Sequence, residues 1–153
     1  MKQPVALIFL FVLFSAPSFA QNVATGFYLE IPGAKRSCVN KIPTINGKQS
    51  FCVADNPVIT ATEFESVSEV RYEAAAKTKY IELVLTPKAT KVISGLMATL
   101  PESKMLLIVD NKVVGIFNPK AIEQITGRII RIDSAMDAPE IDWIYDKLKT
   151  VRN

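Results

Sequence analysis

Two apolar runs, "MLLIV" (Met105–Val109) and "VVGIF" (residues 113–117), stand on either side of Asp110, Asn111 and Lys112. Runs this apolar do not belong on an open surface, so any fold the chain adopts has to bury them. Asp and Asn both tolerate turn conformations, which predicts a hairpin. Immediately upstream, "TPKATKVISGLMATL" offers Thr86 as a helix N-cap and Pro87 at the first helical position. Ala89, Val92, Ile93, Leu96, Met97 and Leu100 then recur at intervals of three and four, one continuous apolar stripe that Pro101 ends. That stripe needs a sheet, and "MLLIV" is expected to be the central strand that receives it. Gly95, which costs about 1 kcal/mol against alanine inside a helix, is expected to mark close packing there.

The remaining segments sort around this unit. "KYIELVLT" (residues 79–86) is a strand, and with "MLLIV" it would make a right-handed crossover if the two are parallel. "GFYLEI" (residues 26–31) is a strand stopped by Pro32 and Gly33, and "GRIIRID" is another, with a bulge expected near Gly127. "PKAIEQIT" (residues 119–126) connects the last two strands through a helical turn. Two overlapping capping boxes, Thr60 with Glu63 and Thr62 with Glu65, predict a short helix whose apolar face is Phe64, Val67, Val70 and Tyr72. The C-terminal helix starts at Asp137 and Glu140, and Ile141, Ile144, Tyr145, Leu148 and Val151 give it a second apolar stripe. Lys147, Lys149 and Arg152 suit the negative end of its dipole. The expected fold class is α+β: a single domain, mostly antiparallel sheet, packed by two main amphipathic helices.

The N-terminus reads as an export signal. A basic "MKQP" leads into ten apolar residues and a small-x-small end at Ala20, about half the length a membrane span needs. Cleavage near Ala20 leaves residues 21–56, an N-terminal strand and a disulfide loop, and residues 57–153, all in one domain with no further membrane span. Two cysteines in an exported chain, Cys38 and Cys52, most simply form one disulfide. A strict two-residue turn at Asn46-Gly47 would set Lys41 opposite Cys52 and leave Cys38 beyond the register. Pro43 sits badly in a ladder, so the bridge is expected to close an irregular excursion.

Catalytic chemistry has little to work with. The chain contains no histidine, which removes the commonest general base and metal ligand together. With the cysteines bonded there is no thiol nucleophile, and the glycines are too isolated for a phosphate loop. The acidic run Glu63, Glu65, Glu69 and Glu73 reads as a solvated face, and Asp133, Asp137 and Asp142 lack calcium-loop spacing. Neither a catalytic residue nor a metal or cofactor is expected. A net charge of +3 on 153 residues does not call for nucleic acid. Arg128 and Arg131 could meet an anion, but paired arginines on an outer sheet face are commonplace. Trp143 lies off the main stripe, where an aromatic either anchors a partner or covers a sheet edge.

From Pro57 onward, "NPVITATEF", "IELVLT", "LLIVDNKVVGIFNP" and "ITGRIIRI" together resemble the P1 head subdomain of the SecD and SecDF protein-export family. The matching positions are Asp110, Lys112, Val113, Pro119, Ile125, Thr126 and Gly127, and the likeness spans residues 57–134. Asn111 stands where that family has glycine, and its Asp-Leu-Arg-Gly-Gly segment and transmembrane charges are missing. The resemblance implies the fold and a habit of binding polypeptide in the periplasm, but no proton-driven motor. The resulting expectation is an exported, non-enzymatic module that engages a protein or peptide in the periplasm or cell envelope. A small-ligand carrier or an inhibitor of a secreted protein is the alternative, ahead of a carboxylate-dependent hydrolase. The expected partner surface is Val113, Gly115, Phe117 and Trp143, with Gly115 letting another backbone come close.

Overall fold

The structure, a computed structural model, describes residues 22–33, 38–118 and 128–152; the expected signal, the 119–126 connection and Gly127 lie outside them. The strands are β1 (Gly26–Leu29), β2 (Asn40–Pro43), β3 (Ser50–Val53), β4 (Ile59–Thr60), β5 (Phe64–Val67), β6 (Arg71–Glu73) and β7 (Thr78–Leu85). Helix α1 (Pro87–Thr99) follows, then β8 (Met105–Val109), β9 (Lys112–Phe117), β10 (Ile129–Ala135) and helix α2 (Glu140–Arg152). One sheet has the order β4-β1-β8-β9 and a second has β10-β7-β5, with β6 also on β7. The β2–β3 hairpin is a separate two-stranded sheet, joined to the first by isolated bridges at Glu30–Val53 and Thr44–Val113. This is an α+β fold with antiparallel ladders.

Every residue of β8 is 0% exposed, because the strand is covered on both faces. Side chains alternate along a strand. Met105, Leu107 and Val109 face a large core shared with Phe27, Ile81, Leu83, Ile93, Ile141 and Leu148, among others. Leu106 and Ile108 face a smaller core with Tyr28, Ile42, Val53 and Val113, roofed by the β2–β3 hairpin. Helix α1 begins as its sequence dictates: the Thr86 hydroxyl accepts from the Ala89 N–H at 3.2 Å. At the β8–β9 turn, Asp110 and Asn111 take positive φ values of 49° and 59°.

Four expectations need correcting. No helix forms over residues 60–72. A single 3₁₀ turn (Ala61–Glu63) leads into β5 and β6, because pairing Phe64 with Leu85 and Arg71 with Tyr80 overrides local capping signals. The strands flanking α1 belong to different sheets, so the unit is not a crossover within one sheet. A Cβ on Gly95 would meet nothing within 4 Å, so close packing is not what places a glycine there. The disulfide segment contains a regular ladder rather than an irregular excursion, with Lys41 opposite Cys52 and Pro43 opposite Ser50. Pro43 is tolerated because Thr44 N–H bonds Gln49 at 2.9 Å, so by alternation the Pro43 nitrogen points away from β3. Cys38 precedes β2 and reaches Cys52 across a Cα–Cα distance of 5.6 Å.

Candidate functional site

The four residues expected to meet a partner lie on β9 and α2, and the fold uses most of them itself. Val113 is 3% exposed; its carbonyl accepts from Ile45 N–H at 3.0 Å, under the hairpin that roofs the smaller core. Phe117 packs edge-on against Phe27, with ring centroids 5.8 Å apart. A Cβ on Gly115 would sit 2.5 Å from the Phe117 ring, so the glycine makes room for that ring and not for another chain. Trp143 is half-buried on the large core, with Lys112 Nζ at 5.1 Å and Lys147 Nζ at 5.9 Å from its ring centroid. The apolar residue of β9 left open is Ile116, 48% exposed.

The tip of this hairpin is an electrostatic junction. Lys147 bonds Asp110 at 2.8 Å and holds its carboxyl below the ordinary aspartate value. Asn111 Oδ1 accepts from Val23 N–H at 2.6 Å, and its Nδ2 donates to Asn22 at 2.9 Å. The asparagine that departs from the SecD pattern therefore fastens the N-terminal segment to the hairpin.

Many of the acidic side chains are engaged in ion pairs. Glu63 accepts from Lys88 at 2.7 Å and from Thr86 at 2.6 Å, and these bonds lower its pKa. On the outer face of the second sheet Arg71 binds Glu82 at 2.8 Å, Arg128 binds Glu65, and Arg131 binds both Glu73 and Asp133. Arg131 also stacks over the Tyr80 ring at 3.8 Å. Both arginines considered for an anion thus hold carboxylates of their own chain. Among the described residues no three His, Cys, Asp or Glu side chains converge for a metal. An open groove of about 540 Å³ runs between Glu30, Pro32, Gly33, Leu100, Pro101 and Lys104.

Sequence reasoning missed one edge of the second sheet. Leu85 N–H bonds Arg128 C=O at 2.8 Å, and Met136 N–H bonds Lys77 C=O at 3.2 Å. Antiparallel pairs alternate. The even-numbered residues of β10 therefore bond β7, and Ile129, Arg131, Asp133 and Ala135 turn their N–H and C=O groups outward.

No protein-family model matches the sequence, and a search of curated proteins returns no match. Solved structures do match. A structure of SecDF, a membrane component that enhances protein export, superposes with a TM-score of 0.57 at 13% identity, covering 86% of this chain and 64% of that one. A crystal structure of SecDF in a super-membrane-facing form gives the same TM-score and identity over 82% of this chain and 18% of that one. This chain thus spans less than two thirds of the SecDF chains it matches. Among the described residues no helix is long and apolar enough to cross a membrane. What the chain shares with SecDF is a fold, and the SecD resemblance of its motifs is a resemblance in three dimensions as well.

Proposed function

We propose that the chain is an exported, non-enzymatic accessory module that engages protein or peptide in the periplasm or cell envelope. The observation that carries this reading is the SecDF-like fold over 86% of the chain. The Cys38–Cys52 bridge supports an oxidising compartment. On this reading residues 1–20 are a signal cleaved near Ala20, and residues 21–56 and 57–153 work as one unit. The engaged surface centres on β9, where Ile116 is open, with Trp143 as an aromatic anchor on the adjoining helix.

Site-specific photo-crosslinking tests it. A photoreactive residue replaces Ile116 in one variant and the exposed Lys91 of α1 in another, with a reduced, carboxymethylated unfolded polypeptide as probe. Crosslinks at position 116 well above those at 91 are the expected result. Equal labelling, or none, overturns the reading. Mass spectrometry of chain recovered from the envelope should find Gln21 as its first residue.

A further inference from the structure

A strand at the edge of a sheet offers a row of unpaired backbone groups, and folds guard such rows with short strands, bulges, prolines or a covering segment. Most edges among the described residues are guarded in these ways. β4 is two residues long, and β9 breaks register with β8 between Gly115 and Val113 and gives its Val113 carbonyl to Ile45. The far side of β7 carries two short strands, β5 and β6, and β5 is irregular between Phe64 and Ser66. β10 has none of these devices. It runs seven residues in unbroken register with β7, from Ile129 opposite Val84 to Ala135 opposite Thr78, without a proline. Among the described residues its outer row is bonded only at its end, where the Ala138 N–H donates to the Ala135 carbonyl at 3.1 Å.

We propose that β10 pairs with β10 of a second copy of this chain, antiparallel, about a two-fold axis through Ile132. Charge selects the occupant and the register. Only odd-numbered residues present outward groups, so an antiparallel pair must match odd with odd. Centring the axis on Arg131 sets two arginines directly opposite each other, and centring it on Asp133 sets two aspartates opposite each other; like charges there are destabilising. Centring it on Ile132 sets Arg131 of each copy opposite Asp133 of the other, and Ile129 opposite Ala135. This register also overlaps the full strand. It joins the two β10-β7-β5 sheets into one and leaves no outward row for a third copy, so the assembly closes at two. A single strand pair is a small contact, so the dimer dissociates on dilution. The inference is independent of any client polypeptide.

Light scattering and sedimentation of the purified chain across a dilution series test the pairing, with melting curves as a check that each variant folds. The wild type should show a reversible monomer–dimer equilibrium. Asp133→Arg and Arg131→Asp should each weaken it at least tenfold. An equimolar mixture of those two variants should recover a dimer, since two basic side chains on one copy then face two acidic ones on the other. Hydrogen exchange at Ile129, Arg131, Asp133 and Ala135 should slow with concentration, while the even-numbered amides stay protected throughout. A monomer at every concentration, assembly beyond two copies, or a mixture no better than its components overturns the proposal.

Discussion

The two sheets of this protein solve burial in opposite ways. In the first, β8 is apolar at every position because a helical layer and the second sheet cover one face and the β2–β3 hairpin covers the other. In the second, β7 alternates: Ile81, Leu83 and Leu85 are buried inward, while Glu82 and Tyr80 face outward among ion pairs. Apolar surface removed from water stabilises by roughly 25 cal/mol per Å², whereas an exposed ion pair contributes about 0–1 kcal/mol. The first sheet should therefore dominate stability. The second keeps a polar face and an open edge for contacts outside the molecule.

The sharpest way to break this contrast is a truncation in each sheet. Leu107→Ala should cost about 2–5 kcal/mol, because β8 is locked between two layers that cannot collapse onto the cavity. Val84→Ala, on the outer face of β7, should cost less than about 1 kcal/mol. Chemical denaturation of both variants reads the difference, and equal costs would sink the two-sheet account. Next in size is removal of the disulfide. Closing a loop across a separation of 14 residues is worth about 3 kcal/mol in the chain-entropy model. In Cys38→Ser/Cys52→Ser, hydrogen exchange should rise in β2 and β3 and at Tyr28, Leu106 and Ile108 beneath them. β7 and β10 should be unaffected. A uniform rise through both sheets would mean that the hairpin is not a separable roof.

Legibility in the sequence follows the same division. The β8–β9 hairpin, the cap and stripe of α1 and the closing helix could be read because each signal lies within one element. Leu100, expected on the α1 stripe, is instead 44% exposed just past the end of the helix. The roof was not legible, since "MLLIV" announces burial but not that two separate layers supply it. The capping boxes at Thr60 and Thr62 were sound local signals that lost to pairing with β7, and Glu63 caps nothing in its own segment because it reaches Thr86 and Lys88 instead. Gly26 gave no signal: a Cβ there would sit 2.5 Å from Ile59 O, which depends on β4 crossing alongside. For the partner surface, Gly115 was correctly noticed and its reason mistaken. Phe117 lies two residues on, on the same strand face, so its ring was the nearest candidate to fill that space. The open edge of β10 needed the pairing parity with β7, which no residue pattern states.

The smallest test sets one carboxylate from each half against the other. Glu63 ties the start of β5 to the head of α1, and Asp110 ties the β8–β9 turn to α2. Both have folded-state pKa values below their ordinary ones, near 4.5 for glutamate and 3.8 for aspartate, chiefly through bonds from Lys88 and Lys147 respectively. A depressed carboxyl stabilises the fold above its unfolded pKa, and that contribution fades as the pH falls through the folded value. Denaturation midpoints should therefore drop below about pH 4.5 in the wild type. Glu63→Gln should flatten the upper part of that slope and Asp110→Asn the lower part, since their ordinary values differ in that order. Neither residue is fully buried, so each effect should be small beside Leu107→Ala. An acid slope unchanged in both variants would mean that neither tie contributes to stability, and that the two halves are held together by their apolar cores alone.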